Sequence, residues 1–172
     1  MKVIGIAGWS GAGKTTLLTR VIPRLTAWGL GVSTIKHAHH AFDVDQPGKD
    51  SHTHRMAGAT EVLISSANRF ALMHELRGVP EFGLGALLAK LSAVDLVLVE
   101  GFKREAHPKL EVYRASVGKP LLAPDDPNVV AIASDGPVAA RVQVVSLDDV
   151  DAVAEILVAK ARPLDAVLEE MR

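Results

Sequence analysis

The stretch GWSGAGKTT, residues 8–16, decides the fold because it lies between an apolar run and a helical pattern. The apolar run is Val3 to Ala7, and Leu17 and Leu18 follow the loop. A strand, a glycine-rich loop and a helix in this order predict a P-loop, whose backbone N–H groups surround a polyphosphate. The loop residues predicted to contact the nucleotide are Gly8, Ser10, Gly11, Ala12, Gly13, Lys14, Thr15 and Thr16.

The chemistry expected of this loop needs a cation, a hydroxyl and a carboxylate. Lys14 is a predicted catalytic residue because its charge would lie on the β and γ phosphates, and the Thr15 hydroxyl would bind Mg²⁺. The segment DLVLVEG offers Asp95 and Glu100, about 16 Å apart along a strand. Since P-loops lie at the carboxyl edge of a parallel sheet, Glu100 is the predicted second metal ligand, and Asp95 is interpreted as a solvent-facing strand start.

Length and composition set the class of protein. The chain has 172 residues, with 19 basic and 20 acidic side chains, so we expect one domain over residues 1–172 and no global field for nucleic acid or membranes. It has no cysteine, which excludes disulfides and thiolate chemistry and fits the cytoplasm. No apolar run reaches the roughly 18 residues of a membrane span. Residues 163–172 are predicted to form a C-terminal helical tail.

Short β-rich runs alternate with helical patterns, which predicts an α/β fold with a predominantly parallel central sheet and helices on both faces. Pro23 is expected to kink the first helix or to end it early. Two β-rich runs around Ala67-Asn68 predict a hairpin. Strands are predicted at 2–7, 31–36, 61–65, 69–74, 95–99, 110–114, 129–133 and 142–145, and helices at 14–28, 52–58, 84–91, 148–161 and before residue 171.

The sequence offers one candidate for the residue that recognises the nucleotide base. A carboxylate can accept hydrogen bonds from guanine N1–H and the N2 amino group together. Adenine does not offer this pair of neighbouring donors. The sequence has no NKxD motif, and the nearest substitute is Asp135, which follows the apolar strand VVAIA. Because Ser-Asp-Gly-Pro is also strong turn chemistry, a base-reading carboxylate and an ordinary turn remain open alternatives.

A polar loop at 36–54 holds five of the seven histidines and three aspartates. It has four interpretations: a transition-metal site, a switch ordered by Mg²⁺ and the γ-phosphate, an anion-docking surface, or a solvated loop. Asp43 and Asp50 are the predicted catalytic carboxylates here, as candidates for orienting a water. The docking surface would use Lys36, Lys49 and Arg55. The histidines are His37, His39, His40, His52 and His54.

Several segments resemble the molybdopterin-guanine dinucleotide biosynthesis protein B family, MobB. They are GWSGAGKTTL near the start, IKHAHHAFDVDQPGKDS at 35–51, RMAGA at 55–59, FALM at 70–73 and LVLVEGFK at 96–103. The resemblance covers most of the chain. It implies a GTP-binding P-loop protein of the dethiobiotin-synthetase-like group, with Glu100 as a Walker B-like carboxylate, the histidine-aspartate loop as a switch, and a homodimer.

The resemblance also implies a role. The protein would be a weak GTPase that uses GTP and Mg²⁺ and assists the nucleotidyltransferase MobA in converting molybdopterin to molybdopterin guanine dinucleotide. MobA would be a partner and molybdopterin a further ligand. Two other classes remain open from the residues: a small-molecule kinase whose loop at 37–55 grips an acceptor, and a metal-insertion GTPase whose histidine loop stores a divalent ion.

Overall fold

The computed structural model describes residues 1–38 and 42–171, so the predictions that involve His39 and His40 lie outside the described residues. The chain divides into two compact units. The first is Met1–His37 together with the chain from Leu84 onward, and the second is Ala38–Gly83.

Within residues 1–38 and 42–171, nine strands and five α-helices follow one another. The strands are β1 (Lys2–Ala7), β2 (Val32–Lys36), β3 (Glu61–Ser65), β4 (Phe70–His74), β5 (Leu96–Glu100), β6 (Lys109–Tyr113), β7 (Val129–Ser134), β8 (Gln143–Ser146) and β9 (Arg162–Pro163). The helices are α1 (Lys14–Ala27), α2 (Asp50–Met56), α3 (Leu84–Leu88), α4 (Val150–Lys160) and α5 (Leu164–Glu170). These elements follow the predicted order, with ends displaced by a few residues, and include one short strand, β9, that the sequence did not predict.

The first unit contains a seven-stranded sheet in the order β2-β5-β1-β6-β7-β8. All neighbours along that path are parallel, and only the short β9 pairs antiparallel with β1. The register places Ile6 of β1 beside Glu100 of β5, and Ala7 beside Glu111 of β6. The predominantly parallel α/β fold is therefore confirmed. The glycine-rich loop follows β1, whose neighbours in the sheet are β5 and β6, so the loop lies at the carboxyl edge of the sheet.

Helices cover both faces of this sheet because side chains alternate along each strand. On one face α1 and α4 pack against a cluster that includes Ile4, Ile6 and Leu98. On the other face α3 and α5 pack against a smaller cluster that includes Val3 and Val97. Strand β5, next to β1, thus contributes apolar side chains to both cores, and this fixes the carboxyl end that carries Glu100.

Of the two expected effects of Pro23, a kink in the first helix or an early end, the early end is wrong. Helix α1 continues past Pro23 to Ala27. A proline inside a helix removes one backbone hydrogen bond, and here Val21 and Leu25 are fully buried on either side of it. Burial of this apolar face offsets the lost bond, since each such side chain contributes about 1.5–3 kcal/mol.

The second unit consists of α2 and the antiparallel hairpin β3–β4. The hairpin confirms the prediction of a turn at Ala67-Asn68. Its register pairs Leu63 with Leu72 and Ser65 with Phe70, so these side chains share one face. Leu63, Phe70 and Leu72 on that face are 61%, 71% and 52% exposed.

Among the described residues, no helix is long and apolar enough to cross a membrane.

Candidate nucleotide-binding site

The loop between β1 and α1 has the backbone that a phosphate cradle needs. Gly8, Gly11 and Gly13 have φ of 139°, 83° and 96°, which L side chains rarely adopt. A Cβ on Gly8 would lie 2.5 Å from the Val112 carbonyl oxygen of β6. Glycine at position 8 therefore allows the loop to approach β6 closely, and at position 13 it allows the turn into α1.

Lys14 lies at the mouth of this loop as the first residue of α1. Its Nζ donates to the carbonyl oxygens of Gly8 at 3.0 Å and Trp9 at 3.1 Å. Burial lowers the pKa of the Lys14 ammonium, Glu100 opposes the shift, and the charges of Lys103 and Lys36 add to it. A bound anion would relieve both the desolvation and the repulsion among these ammonium groups.

Thr15 and Glu100 meet, as the sequence predicts for two ligands of one metal. The Thr15 hydroxyl donates to Glu100 Oε1 at 3.2 Å, and Oε2 is 3.4 Å away. Lys36 of β2 lies on the other side of Glu100, with Nζ 3.6 Å from Oε2. The side chain of Glu100 is only 13% exposed, so it faces the loop rather than open solvent.

The donor set fits Mg²⁺. This ion prefers oxygen ligands and is commonly held by one or two protein oxygens plus phosphate. A hydroxyl and a carboxylate in contact, beside the phosphate loop, satisfy that preference. Thr15 and Glu100 would therefore hold the ion, which when bound would neutralise phosphate charge.

The substitution Glu100→Gln tests this metal role. Glutamine keeps the shape of the side chain but removes the charge that a divalent cation needs, so the affinity for Mg²⁺ with nucleotide bound should fall roughly 10- to 100-fold. Nucleotide affinity measured without Mg²⁺ should change little. The measurement is a Mg²⁺ titration of nucleotide binding, followed by calorimetry.

Asp95→Asn is the matched control, because Asp95 lies at the opposite end of the same apolar segment. Its Oδ2 accepts from the Gly31 N–H at 2.7 Å, so it stabilises a turn. Its substitution should leave the Mg²⁺ titration unchanged. An equal loss in both variants would contradict the assignment of Glu100.

Asp135, the predicted base reader, lies just beyond the carboxyl end of β7. Its Oδ2 accepts from Arg114 Nη1 at 3.3 Å, and its Oδ1 accepts from the Ala115 N–H at 3.4 Å. Arg114 in turn donates through Nε to the carbonyl oxygen of Ala12, inside the glycine-rich loop. The carboxylate is therefore connected to the phosphate loop by one arginine.

The aspartates of the polar loop belong to the second unit, where Arg55 binds two of them. Arg55 Nη2 lies 2.9 Å from Asp43 and 2.8 Å from Asp45, and Nη1 lies 3.4 Å from Glu75. The hydrogen bond from Arg55 is the largest influence on the Asp45 carboxyl and holds its pKa below the usual range. Asp50 is the first residue of α2. Arg55 is thus an internal organiser, which argues against its use in a docking surface.

The transition-metal interpretation receives no support from the described part of the chain. Within residues 1–38 and 42–171 no three histidine or acidic side chains converge on one point. His52 and His54 lie on α2, two residues apart, where side chains do not share a face.

Sequence reasoning missed Arg114 and the support around Trp9. The Trp9 indole N–H donates to the Pro120 carbonyl oxygen at 2.8 Å, and Lys103 Nζ lies 4.8 Å from the ring centroid. A signal for Arg114 was present, since it is the last residue of the strand predicted at 110–114, and parallel order brings the carboxyl ends of strands to the edge that carries the P-loop. No motif distinguishes it from a surface arginine.

The sheet order, the glycine-rich loop and the contact of Thr15 with Glu100 define a P-loop α/β protein. The chain belongs to the molybdopterin guanine dinucleotide synthesis protein B family, MobB, whose family model matches residues 3–135. This confirms the resemblance found in the sequence.

Known relatives agree with this membership. The molybdopterin-guanine dinucleotide biosynthesis adapter protein of Escherichia coli strain K12 is 42% identical over 159 residues, which is 91% of each chain. The protein of the same name from Haemophilus influenzae is 42% identical over 135 residues, covering 78% of this chain and 75% of that one. A crystal structure of molybdopterin-guanine biosynthesis protein B superposes with a TM-score of 0.72 at 27% identity, over 91% of this chain and 98% of that chain.

Proposed function

We propose that residues 1–172 act as one cytoplasmic GTP-binding domain, a weak GTPase that assists MobA in converting molybdopterin to molybdopterin guanine dinucleotide. The observation that carries the proposal is the contact of Thr15 with Glu100 beside the loop of Lys14. A cation, a hydroxyl and a carboxylate close together are the groups that a nucleoside triphosphate with Mg²⁺ needs, and this supports the proposal. The relatives' names supply the pathway.

The residues of this chain divide the work of binding. Backbone N–H groups of the glycine-rich loop and the start of α1 would bind the phosphates, and Lys14 would add a point charge. Asp135 would accept the two N–H donors of guanine. Asp43 and Asp50 remain the proposed water-orienting carboxylates, and hydrolysis without an added arginine would be slow, on the order of 10⁻⁴ per second.

Slow hydrolysis suits an adapter more than a metabolic enzyme. At that rate the triphosphate persists with a half-life of about two hours, which allows a partner to recognise the loaded state. The polar loop at 37–54 is the segment that we propose responds to GTP and presents a surface to MobA or to molybdopterin.

Calorimetric titration with non-hydrolysable GTP and ATP analogues in Mg²⁺, repeated with purified MobA, tests the function. We expect tighter binding of the GTP analogue and MobA binding that depends on the nucleotide. Equal affinity for MobA in the GTP-bound and GDP-bound states would contradict the proposal that the loop at 37–54 responds to GTP. ATP preference with acceptor-dependent release of ADP would instead identify a small-molecule kinase.

We also propose a homodimer that uses the exposed face of the β3–β4 hairpin. Leu63, Phe70 and Leu72 lie side by side on that face, and two-stranded hairpins are marginal alone in water. A second copy would bury the same three side chains, as a two-fold interface requires. This face is the supporting observation for the dimer.

Leu72→Lys should therefore weaken the dimer. A twofold axis places two lysines at the interface, and the loss of two buried leucines at about 1.5–3 kcal/mol each corresponds to a dissociation constant at least about a hundredfold higher. Sedimentation velocity across a concentration series measures the shift. Val144→Lys, at an exposed apolar position on the edge strand β8, is the matched control. Dissociation by Val144→Lys alone would assign the interface to the sheet edge instead.

A further inference from the structure

The guanidinium of Arg114 joins the phosphate loop to the carboxylate of Asp135. Nε donates to the Ala12 carbonyl oxygen at 3.1 Å, and Nη1 donates to Asp135 Oδ2 at 3.3 Å. We propose that Arg114 is a positioning residue that couples phosphate binding in the loop to recognition of the base at Asp135. The inference rests on the proposed function, since it takes the ligand to be a guanine nucleotide.

The register of the sheet explains why these groups meet. Strands β6 and β7 are parallel, and Tyr113 pairs with Ser134 at their carboxyl ends. Arg114 and Asp135 are therefore the first residues beyond two paired strand ends. Strand β6 also borders β1, which leads into the glycine-rich loop. A side chain at position 114 can thus reach the phosphate loop on one side and position 135 on the other.

The bond to Ala12 orients the loop backbone. In a trans peptide the carbonyl and the following N–H point in opposite directions. Holding the Ala12 carbonyl toward Arg114 therefore turns the Gly13 N–H away from the arginine. A Cβ on Gly13 would lie 3.3 Å from Arg114 Nε, so the guanidinium packs directly on this backbone. Loss of the contact frees that peptide to rotate, which weakens the binding of any nucleoside triphosphate.

The bond to Asp135 orients the carboxylate. Arg114 and the Ala115 N–H each donate to one of its oxygens, so the plane of the carboxylate is fixed by two donors. An ionised carboxylate has about four acceptor sites, and two donors leave capacity for the paired N–H groups of guanine. The Asp135 side chain is 31% exposed, so a ligand can reach it. Loss of Arg114 therefore reduces discrimination between guanine and adenine as well.

The two contacts of Arg114, with Ala12 and with Asp135, predict different effects of substitution on nucleotide binding. Asp135→Asn should weaken binding of a non-hydrolysable GTP analogue roughly tenfold and leave the ATP analogue unchanged, because adenine makes no paired contact there. Arg114→Met should weaken both analogues, and GTP by more. Arg114→Lys keeps the charge but replaces the fork by a single ammonium, so it should behave like Arg114→Met. Arg141→Met, which removes another arginine, is the matched control and should bind like the wild type.

The test is a double-mutant cycle of Arg114→Met and Asp135→Asn in the full chain, measured calorimetrically with both analogues. We expect the two substitutions to be non-additive for GTP and additive for ATP. Additivity for GTP, or a GTP to ATP affinity ratio that Arg114→Met leaves at the wild-type value, would overturn the coupling. A wild-type chain that binds neither analogue, or does not prefer GTP, would overturn the proposed function instead. If Arg114→Met fails to fold, Arg114→Lys replaces it in the cycle.

Discussion

Replacement of Lys14 by alanine should weaken binding of a non-hydrolysable GTP analogue roughly 10- to 100-fold. The ammonium lies within 3.0 and 3.1 Å of two loop carbonyl oxygens, so it is held at the mouth of the phosphate loop. A hydrogen bond to a charged phosphate is worth about 1.5–3 kcal/mol, and no other side chain of the loop carries a positive charge. Calorimetric titration of both proteins measures the loss.

The same substitution should not destabilise the protein without nucleotide. Burial and the neighbouring charges of Lys103 and Lys36 disfavour the Lys14 ammonium, as the lowered pKa indicates. The melting temperature of Lys14→Ala should therefore be equal to that of the wild type or higher. Lys160→Met, an exposed lysine at the end of α4, is the matched control for loss of a positive charge. Unchanged GTP affinity in Lys14→Ala would contradict the position of the phosphates.

Local patterns predicted the part of the site that depends on neighbouring residues. Residues 8–16 contain the whole loop, and the end of an apolar strand identifies Glu100. The contact between Thr15 and Glu100 then follows from parallel order, because parallel strands bring their carboxyl ends to one edge. The roles of these residues remain predictions, whereas the contact between Thr15 and Glu100 is observed in the structure.

The partners of Asp135 could not be predicted in this way. Turn chemistry and base recognition use the same Ser-Asp-Gly sequence, so the residues alone leave both open. The structure brings in Arg114, 21 residues earlier in the chain, through the pairing of β6 with β7. Which strands become neighbours is a property of the whole sheet, and no window of sequence contains it.

The polar loop illustrates a second limit. Asp43 and Asp50 are predicted to orient a water, and that role stays a prediction. The sequence did not indicate the partner that the structure shows: Arg55 binds both Asp43 and Asp45, and the side chain of Asp45 is only 1% exposed. Charge pairing between a loop and the helix that follows it depends on how the chain turns at Pro47-Gly48, which composition does not specify.

A buried histidine gives the second large effect. His107, just before β6, has no exposed surface, and neither ring nitrogen has a hydrogen-bond partner within the described residues. Burial, then the charge of Lys109, lowers the pKa of His107 to about 4, while the Glu105 carbonyl and Asp126 oppose the shift. The ring is therefore neutral in the folded protein at pH 7. The ring is neutral because its burial disfavours a charge more strongly than the Glu105 carbonyl and Asp126 favour it.

The folded protein should lose about 3 kcal/mol of stability through His107 as the pH falls from 6.5 to 4. In that range the unfolded chain binds a proton at position 107 and the folded chain does not, so acid favours unfolding. His107→Leu removes the proton site and two unsatisfied nitrogens, so it should be as stable as the wild type at pH 7, or more stable, and should lack this loss. Urea unfolding at several pH values measures both.

His107→Gln separates titration from packing in this experiment. Glutamine does not titrate but keeps buried polar atoms, so it should be less stable than His107→Leu by a similar amount at every pH. The raised pKa of Glu111 and the lowered pKa of Asp126 add their own pH dependence, but both groups are present in all three proteins. The difference between wild type and His107→Gln therefore isolates the imidazole. If this difference stays constant between pH 6.5 and 4, proton uptake at His107 does not limit acid stability, and the buried ring must be stabilised as a cation.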